Sequence, residues 1–294
     1  MNQTSAEEIL KEITPDGELL RFESLAGGIS AQTFRLDYSL ARQTHSVVIS
    51  VHSDVDWQRN PNLAADEFEV LTFLLANGYP VASPLYVGTD SGIFDRPYLV
   101  VEHLGGRVID GDALIPRLPD MAAQLAKLHA IPLRDWPLPD YPPPRQRIQP
   151  VSTIDKRMQE SAIREALDGY VPSQENTPCL LHCDYWSGNL LWDDDGLVAV
   201  LDWEDFGVGD PMADVGNARA ELAMQVDLSA VDAFTKNYLE CTSSADARDL
   251  PYWDLVSALF FSNRFTEFAD DTDHETLLYQ RMNRFVDQAL ARLS

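Results

Sequence analysis

Residues 180–214, LLHCDYWSGNLLWDDDGLVAVLDWEDFGVGDPMAD, concentrate the side chains able to do chemistry. Asp184 follows the apolar pair Leu180-Leu181 in a loop, where a carboxylate can stand clear of the chain and accept a proton from an attacking hydroxyl. His182, two residues earlier, has a polar ring able to orient that loop by hydrogen bonding. Two apolar stretches flank an acidic turn, and Asp195-Gly196 is a two-residue hairpin signal that needs positive φ. Counting outward from it pairs Asp194 with Leu197 and Asn189 with Asp202. Facing residues stand about 4.5 to 5.5 Å apart at Cβ, so this register lets an amide oxygen and a carboxylate share one hard cation. A carboxylate base beside such a cation suits attack of a hydroxyl on phosphorus. Asp193, Asp194 and Asp195 read as ordinary turn residues.

The elements that must position these groups change character near residue 105. Before it, short segments at 22–25, 33–38, 46–52, 84–88 and 97–102 carry β-branched or aromatic residues between Gly, Pro, Asp and Asn. One helix, 63–77, interrupts them, with Phe68, Leu71, Leu74 and Leu75 at helical spacing and Asn77-Gly78 as its stop. After Gly105-Gly106 the periodicity is helical at 119–130, 154–169, 214–226, 228–239, 251–268 and 275–293, with a proline-rich loop at 131–150. In the last of these, Leu277, Leu278, Met282, Phe285, Val286 and Ala289 form a core stripe. The pattern predicts an α+β chain of two lobes. Residues 1–104 form a small antiparallel sheet with one long helix, and residues 105–294 a larger, mainly helical lobe.

Composition bounds the partners. A chain of 294 residues with 45% hydrophobic residues buries a sizeable core, and no apolar run reaches the roughly 20 residues that cross a bilayer. The polar, acidic start at residues 1–20 lacks a secretory layout, and three cysteines fit free thiols, so a cytoplasmic protein is expected. The net charge of -25 argues against nucleic acid and anionic membranes and favours a cationic small molecule. Trp186 and Trp203 could stack on such a molecule, and Glu204 and Asp205 could line its pocket. The run Glu267, Asp270, Asp271 and Asp273 reads rather as a solvated helix end. The sequence does not specify an oligomeric state.

With these residues in view, H-x-D-x-x-x-x-N followed by a strand-end aspartate resembles the aminoglycoside phosphotransferase family, relatives of protein kinases that include choline, homoserine and macrolide kinases. The resemblance implies a protein-kinase-like fold and transfer of the γ-phosphate of ATP or GTP to a small-molecule hydroxyl. In that reading Asp184 is the base, His182 supports the loop, and Asn189 and Asp202 hold Mg²⁺. Gly209-Asp210-Pro211 with Asp214 matches the family's G-D-P-x-x-D stretch, whose aspartates are structural. LAGGISAQTFRLD, 25–37, is similar to the phosphate loop, which assigns Gly27, Gly28 and Ser30 to the nucleotide. Glu67 matches the helix glutamate that pairs with a phosphate-holding lysine. YLVVEHLGGR resembles the segment joining the lobes, where backbone groups of Glu102, His103 and Leu104 would bind the base, and LAKLHAIP at 125–132 is also family-like.

One element departs from the family. The third strand normally ends in a lysine or arginine that holds the phosphates, yet here it reads VVISVHS, which puts Ser50 at that position. No lysine occurs between Lys11 and Lys127. His52 shares a strand face with Ser50 and contributes charge if protonated, and Arg35 or Arg42 lie on neighbouring strands. Two other readings therefore stand beside the kinase. One is a nucleotide-binding protein with impaired catalysis. The other, of a different class, is a metallohydrolase using His182, Asp184 and Asp202 as ligands.

Overall fold

A computed structural model of the chain describes residues 3–25, 31–89, 93–133, 153–173, 176–242 and 245–293. They divide into two compact units, Met1–Arg107 with Val198–Glu204, and Val108–Leu197 with Asp205–Ser294. The segment 198–204 thus belongs with the amino-terminal unit although it follows the catalytic motif in sequence.

The first unit is built on five strands: β1 (Glu18–Ser24), β2 (Ala31–Leu40), β3 (Gln43–His52), β4 (Pro84–Gly88) and β5 (Tyr98–Glu102). Their order is β1-β2-β3-β5-β4, and every neighbouring pair is antiparallel. Alternation explains the sheet. Phe34, Leu36 and Tyr38 of β2 and Val47, Ile49 and Val51 of β3 are buried, while the residues between them are more open. Ser50 and His52 consequently share the opposite face of β3. The core of this unit also takes Ala6, Ile9 and Leu10 from α1 (Gln3–Ile13), a helix absent from the sequence reading. Its apolar residues at three- and four-residue spacing carried the signal, and burying Ile9 and Leu10 stabilises the fold by about 1.5–3 kcal/mol each. A short α2 (Asp54–Arg59), capped by Ser53, leads into α3 (Leu63–Ala76), the expected helix. Gly27, Gly28 and Ser30 lie outside the described residues.

The second unit contains α4 (Leu118–His129), α5 (Glu160–Gly169), α6 (Met212–Gln225), α7 (Leu228–Cys241), α8 (Leu250–Phe260), α9 (Phe265–Phe268) and α10 (Thr272–Leu293). It also holds the antiparallel pair β6 (Cys179–Leu181) and β9 (Gly207–Gly209). The helix expected across 251–268 is broken. Asn263 adopts φ +58, and its N–H is taken by the Asp155 carboxylate at 2.9 Å, which ends α8 and restarts the chain as α9. In α10 the residues Leu278, Met282, Phe285, Val286 and Ala289 are buried, whereas Leu277, expected in that stripe, is 41% exposed. From residue 134 onward the proline-rich loop lies outside the described residues. Among those residues, no helix is long and apolar enough to cross a membrane.

The central crossing of this unit is α6 against α8, and it requires a glycine. A Cβ on Gly216 would stand 2.8 Å from the backbone carbon of Trp253 and 2.9 Å from its oxygen, atoms that cannot swing aside. Gly216→Ala should therefore lower stability by about 1–3 kcal/mol, the usual range for overpacking a closed contact. Urea unfolding measures it, and an unchanged midpoint would show that the helices can separate freely.

Candidate active site

The loop carrying Asp184 leaves β6 at Leu181 and is caught at once by Asp214, in the first turn of α6. Asp214 is fully buried and accepts the N–H groups of His182 and Cys183, each at 2.8 Å. His129 of α4 adds a third contact at 3.2 Å through Nε2, and its Nδ1 meets the Tyr238 hydroxyl at 2.8 Å. This clamp explains why Cys183 tolerates φ +68, a left-handed conformation that costs a non-glycine residue roughly 1–2 kcal/mol. His182, also fully buried, accepts the Asp184 N–H at Nδ1, 3.3 Å away.

Asn189 closes the loop from its far end. It sits in the 3₁₀ turn Ser187–Asn189, and its Nδ2 donates to the Asp184 carbonyl at 2.9 Å and to Asp184 Oδ2 at 3.0 Å. The carboxylate is thereby held in one rotamer. Trp186 lies against Gly188, where an added Cβ would approach its ring within 2.2 Å, so the indole walls the same turn.

α6 brings a group that the sequence reading missed. Gln225 accepts the Ser187 hydroxyl at 2.6 Å and donates to Glu221 at 3.2 Å. Burial first and the nearby Asp184 charge second push the Glu221 carboxyl up to about 8. Glu221 is half-buried by surface exposure but packed at its carboxyl end, which is the part that decides its protonation. The signal was available, because Asp214, Glu221 and Gln225 fall on one face of the predicted helix.

In the first unit the acidic partners of β3 are unexpected. His52 is 5% exposed, with Nε2 at 3.2 Å from Glu67 of α3 and Nδ1 at 3.4 Å from Glu204. These are ion-pair approaches, since neither ring nitrogen is aligned for a hydrogen bond. Burial works against a charged ring, but the two carboxylates outweigh it and raise its pKa to about 10. Arg96 donates to the His52 carbonyl at 3.2 Å and so touches its backbone. Ser50, assigned to the phosphate position, is half-buried between Thr33 and Leu99 of the flanking strands, and the cation facing Glu67 is His52.

Two tentative acceptor contacts are corrected. Trp203 is 1% exposed, donates to the Val200 carbonyl at 3.0 Å and meets Tyr79 edge-on at 5.9 Å, so it is core and cannot stack on a substrate. Glu204 is committed to His52 and does not line an acceptor pocket. Asp205 is half-buried in the second unit. The hairpin also differs. Asp193 N–H donates to the Gly196 carbonyl at 2.9 Å, while its carboxylate accepts from Asp195 and Gly196, so the turn centres on Asp194-Asp195. With β7 spanning Leu190–Trp192 and β8 spanning Leu197–Val200, neither Asn189 nor Asp202 is a ladder residue. Asn189 belongs to the second unit and Asp202 to the first.

Along the segment after β5, Glu102 N–H donates to the Ser83 carbonyl and His103 N–H to that of Ser46. Asp202 is exposed with φ +62, a strained conformation of the kind kept at functional turns.

The donor chemistry fits Mg²⁺. In the second unit both N–H groups of the Asn189 amide go to Asp184, which leaves its Oδ1 as the oxygen a hard cation would meet, and in the first unit the Asp202 carboxylate is exposed. Mg²⁺ is commonly bound by one or two such side chains together with phosphates and water. No group of three His, Cys, Asp or Glu residues able to hold a metal occurs among the described residues.

An antiparallel sheet unit and a mainly helical unit define a protein-kinase-like fold. The model of the phosphotransferase enzyme family (APH) matches residues 21–250, and the chain belongs to that family. The GDP complex of aminoglycoside 2′-phosphotransferase-IIIa is similar with a TM-score of 0.68 at 17% identity, covering 98% of this chain and 99% of that one. Viomycin phosphotransferase of Streptomyces vinaceus is 28% identical over 203 residues, 59% of this chain and 69% of that protein. Acyl-CoA dehydrogenase family member 11 of Mus musculus is 30% identical over 176 residues, 51% of this chain but 22% of the relative's own length. The chain thus matches less than a quarter of that longer protein.

Two outcomes follow from the geometry. Asp214→Ala strands two loop N–H groups, each costing roughly 1–3 kcal/mol when desolvated, and should destabilise the protein by about 2–4 kcal/mol in urea unfolding. A loss below 0.5 kcal/mol would show that the clamp is dispensable. For His52, the folded pKa of about 10 lies above the ordinary 6.5, so its contribution is complete below pH 6.5 and is lost as pH rises toward 10. The melting temperature should fall over that interval more steeply in the wild type than in His52→Gln, and parallel profiles would contradict the charge assignment.

Proposed function

We propose that the chain transfers the γ-phosphate of ATP or GTP to a hydroxyl of a small molecule, with Asp184 as the base. The observation that carries this reading is the pair of hydrogen bonds that Asn189 Nδ2 donates to the carbonyl and carboxylate of Asp184, which fixes the proposed base within a family of phosphotransferases. Nucleotide use is supported by the GDP complex of the structural relative. Asn189 and Asp202 are the oxygen donors proposed for Mg²⁺, which when bound neutralises phosphate charge. Asp184 takes the proton of the acceptor hydroxyl, and His182 and Asn189 keep its carboxylate on that side of the loop.

An aminated acceptor is favoured over a neutral sugar. The Glu221 carboxyl feels the charge of Asp184, so a protonated amine near them would be attracted by Asp184 and would favour ionisation of Glu221. The acidity of the whole chain and the relation to viomycin phosphotransferase point the same way. The alternative, a nucleotide-binding protein without turnover, predicts nucleotide affinity with no phosphorylated product.

The test is a product assay with nucleotide and Mg²⁺ against aminoglycosides, peptide antibiotics, macrolides, amino alcohols and sugars. An active acceptor should be phosphorylated with kcat about 10²- to 10⁴-fold higher in the wild type than in Asp184→Ala, the usual worth of a positioned base. Equal rates in the two proteins would remove Asp184 from the chemistry.

A further inference from the structure

Segment 200–204 of the first unit is held at both ends. Val200 N–H donates to the Pro80 carbonyl at 2.9 Å, and the Trp203 indole is buried against Tyr79. Past Asp202, the Glu204 carboxylate reaches His52, whose other ring nitrogen faces Glu67 of α3. Between these anchors Asp202 keeps a left-handed backbone, and an exposed residue in that conformation relaxes unless its flanks are fixed. The ring is 95% shielded from solvent and has no aligned hydrogen bond, so its work is electrostatic, done on the two carboxylates it separates.

We propose that His52 is a positioning residue for Asp202, its imidazolium bridging Glu67 on α3 to Glu204 and so fixing the turn that presents the metal-binding carboxylate. Removing the ring leaves two poorly solvated carboxylates, Glu67 and Glu204, facing one another, and their repulsion falls on the short segment that carries Asp202. The inference rests on the reading of Asp202 as a metal donor.

Mn²⁺ binding to the full chain, followed by electron paramagnetic resonance with a non-hydrolysable ATP analogue present, tests it without turnover. Asp202→Asn should lose most of the bound Mn²⁺. His52→Gln and Glu204→Gln should each weaken Mn²⁺ binding about tenfold, as loss of a group that orients a ligand does. The double variant should be no weaker than either single one, because both break the same bridge. Near-UV circular dichroism establishes that each variant is folded, and if His52→Gln is not, Glu204→Gln alone must show the tenfold loss. Folded variants with wild-type Mn²⁺ affinity, or losses that add in the double variant, would overturn the positioning role while Asp202→Asn still fails to bind. Wild-type binding by Asp202→Asn would instead sink the assignment of Asp202 itself, and the bridge's purpose with it.

Discussion

A loop that turns sharply out of a strand has backbone N–H groups with no strand partner, and here two of them fall in the interior. Asp214 takes both, on His182 and Cys183, and everything downstream depends on that bond pair. A buried carboxylate is expensive unless its oxygens are filled, and His129 supplies the third contact. The same helix then serves the rest of the loop: Glu221 is two turns along and lies by Asp184, and Gln225, a turn further, holds Ser187. One face of α6 therefore sets the beginning, middle and end of the loop from His182 to Asn189, and the glycine that seats α6 on α8 fixes that face in depth.

The first unit solves a different electrostatic problem. Its third strand lacks the long cationic side chain that the family pattern calls for, and a histidine two residues on pairs with the helix glutamate in its stead. An imidazole is shorter than a lysine and has polar atoms on two opposite sides, so it stands between two carboxylates, Glu67 and Glu204. The second of them, Glu204, arrives from the segment that returns to this unit after β8. Family pattern and local chemistry thus agree on Glu67 while differing on what faces it.

Most of the strands and α3 were legible because they rest on local signals: alternation in β2 and β3 and helical spacing in α3. The hairpin register was not, because Asp193 competes for the turn N–H groups with its own carboxylate, and composition alone does not rank that capture against Asp195-Gly196. Trp203 and Glu204 were misread for a related reason. Both follow Asp202 closely, but whether a side chain beside a functional residue faces solvent or core depends on a left-handed backbone at Asp202 that an aspartate rarely shows. The break at Asn263 arises from Asp155, distant in sequence and invisible to periodicity.

The absence of lysine from residues 12 to 126 has a practical corollary for chemical labelling. Nucleotide-derived acylating reagents capture kinases by forming an amide on a primary amine near the phosphates. An imidazole forms only a hydrolytically labile acyl adduct, and His52 is shut away from solvent besides. Within residues 12 to 126 such a reagent finds no lysine to label.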